Sequence, residues 1–220
     1  MTAVRLRVTM MAAMCLQCIA PAVALPDPPL GPNDIFATVD GTPIEVGEID
    51  LLLRQRFGPD LTSKPAGVSV ERLRRATAAM LVRRQLAMRS LQSIGGQSLE
   101  ASLRQARRDA ASTLAGRGVD LDQRAAAMGT TAKAMIRSAD WQTAWSKYIR
   151  STLTDDNLRS YYRRNRDRYA GQTYEEVTQP RRLRSDATAA LFDRLVERSS
   201  DAGVIWYVES LRPPERVSVR

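Results

Sequence analysis

Trp141, Trp145 and Tyr148 stand at i, i+4 and i+7, with Ile149 beside them, so one helical face would carry three aromatic rings. Such a face usually serves as core. Its functional reading is a groove for an unfolded apolar segment, because aromatic rings give large contact area at modest entropy cost. Met80, Met88, Met128 and Met135 are the methionines beyond the N-terminal segment. Each fills core space well, and each also suits a sequence-tolerant surface. The candidate peptide-binding set is therefore Met80, Met88, Met135, Trp141, Trp145, Tyr148 and Ile149.

Other chemistries find little to work with. The 220 residues contain no histidine and two cysteines, Cys15 and Cys18. A Ser-His-Asp triad, a Cys-His pair, a His-ligated zinc and an imidazole acid or base are all excluded. Two cysteines make neither a four-cysteine metal site nor a disulfide framework. Glu175-Glu176 and Asp155-Asp156 are adjacent pairs, and neighbouring helical residues point about 100° apart. They read as capping or solvated acids. Gly95-Gly96 lacks the Lys-Ser/Thr pattern of a phosphate loop. No catalytic residue, cofactor or metal is expected.

The formal net charge is +9, and of 33 basic residues only Lys64, Lys133 and Lys147 are lysine. The basic residues form no dense run with interleaved aromatics, so nucleic acid is not an expected partner. Arg159, Arg163, Arg164, Arg166 and Arg168 crowd one segment. Their ordinary reading is a solvated face; the alternative is steering of anionic partners, including an anionic membrane surface.

Arg5 and Arg7 precede the uncharged run Val8 to Ala20, and Ala22-Val23-Ala24 follows. This reads as a secretory signal peptide over 1–24 and an exported product, with an uncleaved anchor as the rival. Cleavage would remove both cysteines. Residues 25–34, LPDPPLGPND, read as an extended Pro-rich linker.

The elements that must position the aromatic face follow. Ile35–Val39, Asp40-Gly41 and Thr42–Ile44 read as a hairpin, with Pro43 confining the second strand to an edge. A short helix starts near Val46 and stops at Gly58-Pro59. From Ser69 the pattern is helical to Gly95-Gly96, then from Ser98 to about Gly116. Asp120 starts a brief helix, Thr130 or Thr131 a longer one through Ile149, and Thr154 another, Asn157 to about Tyr169. Gly171 to Pro180 interrupts the pattern. A helix over Ser185 to Glu197 and a strand over Val204–Val208 complete the chain. The expected fold is mainly α, with Ile35–Val39 pairing Val204–Val208 in a small sheet that joins the chain ends. Residues 35–220 would form one domain.

Val39-Asp40-Gly41 with Ile44 and Glu48-Ile49-Asp50, then Leu81 to Ala87 with Gly95 after it, then Leu153 to Asn165 with Tyr161-Tyr162, resemble the SurA, PrsA and PpiD class of exported chaperone–prolyl isomerases. The resemblance spans about residues 35–169. In that family a parvulin isomerase domain follows the Tyr-Tyr helix. Here Tyr169-Ala170-Gly171 leads straight into Tyr174-Glu175-Glu176-Val177, which is similar to the segment after the isomerase domain. Parvulin sites rely on paired histidines, which this chain lacks. The resemblance thus implies the chaperone lobe alone. It would be an ATP-independent periplasmic or cell-envelope holdase, without prolyl isomerase activity, whose partners are unfolded or nascent exported proteins. The alternatives are an adapter for one dedicated envelope partner and, more remotely, an isomerase.

Overall fold

The computed structural model describes residues 29–178 and 181–214. The expected signal peptide lies outside them. The architecture is mainly α with one small antiparallel sheet. Of the segment expected as linker, Gly31–Asp34 form a turn, and the Pro32 carbonyl accepts from Gly47 N–H at 2.9 Å. Gly47 has no room for a side chain, since a Cβ there would sit 2.8 Å from that carbonyl.

The hairpin forms from β1 (Ile35–Val39) and β2 (Thr42–Glu45). Asp40 and Gly41 both have positive φ, 46° and 72°, as a two-residue turn of this hand requires. β2 is an edge strand, which accommodates Pro43. On the other side β1 pairs antiparallel with β3 (Val204–Trp206), as expected from the two isolated strand signals. β3 is shorter than the sequence implies. A register shift between Ile35 and Ala37 interrupts β1, and the N–H groups of Tyr207 and Val208 both turn to the Phe36 carbonyl.

Among the described residues seven α-helices lie between the hairpin and β3. α1 (Val46–Phe57) begins with a capping box in which Glu48 accepts from Glu45 N–H at 3.1 Å. α2 (Val70–Gly116) begins at the Ser69 cap and is broken once, at Gly96 (φ 47°, ψ −139°). The expected stop at Gly95-Gly96 is thus a kink, with the helix resuming beyond it. α3 (Leu121–Ala127), α4 (Ala132–Thr152) and α5 (Asp155–Arg164) start at Asp120, Thr131 and Thr154. Each cap oxygen accepts the backbone N–H three residues on. A 3₁₀ turn, Arg166–Tyr169, continues α5. Inside the expected break lies α6 (Tyr174–Thr178). Thr173 and Glu176 exchange cap bonds there, a capping box strong enough to start one turn. α7 (Arg182–Arg198) then returns along α2.

α2 is the common wall, packing against α1, α4 and α7. One core cluster joins the sheet and α1 to the first half of α2, with Phe36, Val46 and Ile49 fully buried. A second lies between the stretch of α2 on either side of its kink, α4 and α7, around Leu91, Leu103, Ala144 and Leu195. A third surrounds Tyr169 and Leu183. Buried Ser90 on α2 donates to the Leu195 carbonyl at 2.7 Å and bonds Ser199 Oγ at 2.6 Å, fixing α7. Arg89 bridges Asp40 (3.0 Å) and Asp201 (3.1 Å), which ties the hairpin turn to the approach of β3.

Candidate functional site

Met80, Arg84 and Met88 follow one another at i, i+4 and i+8 on α2, opposite Trp141 of α4. Arg84 lies over the Trp141 ring, 5.6 Å from its centre, and the two residues line cavities on both sides of themselves. They act as a partition.

On the Met80 side is an open cleft of about 630 Å³ between α2, α4 and α7. Its apolar surface comes from Met80, Trp141, Trp145 and Phe192. Trp141 and Trp145 stack at 5.5 Å, and the Phe192 ring stands edge-on to both at 6.0 Å. The rings are half-buried. One flank of each packs on the Leu91–Leu195 cluster while another meets the cleft. Arg83, next along α2, caps Phe192 from 5.1 Å and ion-pairs with Asp193.

On the Met88 side is a smaller cavity of about 270 Å³ between α1, α2 and α4. Its charged groups are mostly paired with one another. Arg137 meets Glu48 at 2.7 Å and also donates to the Pro43 carbonyl, and Arg107 forms a two-pronged pair with Asp140. Burial pushes the Glu48 carboxyl above its usual value, against the opposing pull of its Glu45 N–H bond and of Arg137. Ser138 Oγ is buried there without a hydrogen-bond partner among the described residues.

The seven residues singled out in the sequence do not share one surface. Met80, Trp141 and Trp145 meet in the open cleft. Met88 lies behind the partition. Met135 lines a third, largely apolar groove of about 680 Å³ formed by the far end of α2, α3 and α4. Tyr148 and Ile149 pack against the buried cluster around Tyr169 and Leu183, and Tyr148 also stacks on Trp145 at 6.1 Å. The i, i+4, i+7 spacing is real, but the face turns gradually from cleft to core along α4. Sequence reasoning missed Arg84, Arg181, Arg184 and Phe192 as lining residues of the cleft. Arg184, Thr188 and Phe192 are spaced i, i+4, i+8 on α7, a readable signal once α7 is known to face α4.

One acid of each adjacent pair has structural partners. Asp155 accepts from Arg159 at 2.9 Å and from the Tyr174 hydroxyl at 2.6 Å, which together hold its carboxyl below the usual range. Glu176 accepts from Thr173 N–H at 2.6 Å and is lowered likewise. Arg159, Arg163, Arg164, Arg166 and Arg168 are exposed. Among the described residues no group of three or more acidic or thiol side chains could hold a metal ion, and no helix is long and apolar enough to cross a membrane.

Comparison of the chain with family models, curated proteins and solved structures finds no match. The likeness to the SurA class therefore rests on the motifs themselves.

Proposed function

We propose that this protein is an exported, ATP-independent holdase that shields unfolded or partly folded chains and has no prolyl isomerase activity. The observation that carries the reading is the open cleft between α2, α4 and α7. It presents two stacked tryptophans, an edge-on phenylalanine and a methionine to solvent in a cavity of about 630 Å³. Its size matches that of ligand sites, and its lining of rings and a thioether tolerates varied apolar side chains. The order of motifs, similar to the chaperone lobe of the SurA class, supports the same reading. Without a nucleotide-driven cycle, release would follow from weak affinity and competition with client folding. The exposed arginines after Thr154 would assist encounter with negatively charged clients or an anionic membrane surface.

The test is suppression of aggregation of chemically denatured, unrelated proteins. Suppression at near-stoichiometric protein, weakened by Trp141→Ala, supports the proposal. No suppression, with one saturable partner recovered from the cell envelope, would favour the adapter. Turnover of a Pro-containing peptide would overturn the argument from histidine.

A further inference from the structure

The cleft's charge is as one-sided as its apolar lining is continuous. Arg84 of α2, Arg181 just before α7 and Arg184 of α7 line it, and among the described residues no carboxylate does. None of the three makes an ion pair within the described residues. Arg84 has only the Trp141 ring under it. Other arginines at helix–helix contacts do meet an acid: Arg74 holds Asp50 at 3.0 Å and Arg137 holds Glu48 at 2.7 Å. Glu48 is the acid whose charge reaches Arg84 from behind the partition, and it is already committed to Arg137. Arg84 is itself half-buried, and burial disfavours its charged form. A partly desolvated guanidinium without a carboxylate partner is a strong attractor for one, since charge-assisted bonds gain strength away from water.

We propose that the cleft selects extended peptide segments in which Asp or Glu side chains alternate with large apolar ones, the carboxylates meeting Arg84, Arg181 and Arg184 and the apolar side chains lying on Trp141, Trp145 and Phe192. The spacing suits an extended chain, whose successive side chains point to opposite faces and so can address a basic rim and an aromatic floor together. The selection is for side-chain carboxylates; a free chain terminus is the competing source. This inference rests on the holdase reading and adds a preference to it.

The experiment titrates end-blocked peptides of alternating Phe and Glu, and their Gln and Lys analogues, into the full-length protein carrying Trp206→Phe, so that tryptophan fluorescence reports only Trp141 and Trp145. The Glu peptide should bind about tenfold tighter than the Gln peptide at low salt, and the gap should shrink as salt screens the rim. Arg84→Gln should abolish the gap. The double variant Arg181→Gln/Arg184→Gln, on exposed positions that leave the fold intact, should cut it at least threefold. Equal binding of Glu and Gln peptides would overturn the inference and leave the holdase reading standing. Quenching by none of them, together with no suppression of aggregation, would overturn both. A Gln peptide with a free C-terminus that binds as tightly as the blocked Glu peptide would also overturn it, because the terminus would then be what is recognised.

Discussion

Two faces of the first half of α2 meet opposite kinds of neighbour. Toward the sheet and α1, Phe36, Val46 and Ile49 have no exposed surface, and the buried acids are answered. Glu45 holds Lys133 at 2.6 Å and Thr131 at 3.0 Å, and Glu48 holds Arg137 at 2.7 Å. Toward α4 and α7, the largest rings are left half-covered and three arginines lack a carboxylate. Burying apolar area gains roughly 25 cal/mol per Å², so leaving tryptophan area open forgoes stability that a closer approach of α7 would have supplied. The first region is closed on itself, whereas the second leaves apolar and cationic surface unmet, which is what the proposed holdase role would use.

Substitutions that break the contrast should scale with it. Phe36→Ala empties a site with no exposure, under the register shift of β1 and against Trp206, whose ring lies 5.9 Å away. It should cost about 3–5 kcal/mol, enough to unfold much of a marginally stable protein, measured by denaturant titration. Arg137→Ala strands the buried Glu48 and removes a donor from the Pro43 carbonyl. We expect a loss of about 3 kcal/mol, with part of it recovered in Arg137→Ala/Glu48→Gln.

The cleft should behave differently. Trp141→Ala removes a half-buried ring and should cost about 1–2 kcal/mol, roughly half the value for a full core aromatic, while abolishing most client capture. Trp145→Ala is the poorer test. That ring touches both the Leu195 and the Tyr169 clusters, so lost capture and lost stability would be confounded. Arg181→Gln/Arg184→Gln should change stability by less than about 0.5 kcal/mol, since both are exposed, and should alter only which clients are held. If the paired arginines and the unpaired ones proved equally costly to remove, the contrast would fail.

One further expected effect is confined to alkaline pH. Tyr169 is fully buried with its hydroxyl 3.1 Å from Asp186, and burial, helped by that carboxylate, raises its pKa from 10.0 to about 12. The folded state therefore keeps this proton where the unfolded state has lost it. Stability associated with the phenol is complete below about pH 10 and disappears as pH rises toward 12. Tyr169→Phe should flatten that part of the curve of melting temperature against pH.

Much of the fold was legible because its signals are local. Ser69, Asp120, Thr131 and Thr154 each cap the helix they announce, and Asp40-Gly41 makes the turn its φ angles demand. The pairing of β1 with β3 was legible by elimination, two strand signals having only each other. α6 was missed although Thr173-Tyr174-Glu175-Glu176 spells a capping box, because five residues are too few to show a period. The site was legible only in part. Periodicity placed Trp141 and Trp145 together, but which helix covers them depends on α7 folding back along α2, through contacts about a hundred residues apart such as Ser90 with Leu195. The arginines illustrate the same limit, since a sequence shows their number and only the tertiary structure shows which carboxylates they fail to meet.

We propose that the cleft on α2, α4 and α7 captures unfolded chains. The most direct measurement is suppression of aggregation of a denatured, unrelated protein by wild type, by Trp141→Ala, and by Ile136→Ser as a control in the third groove, with each variant's fold verified by circular dichroism. We predict that Trp141→Ala loses at least half the suppression while Ile136→Ser keeps it. A folded Trp141→Ala protein that suppresses aggregation as fully as wild type would show that the cleft does not capture clients.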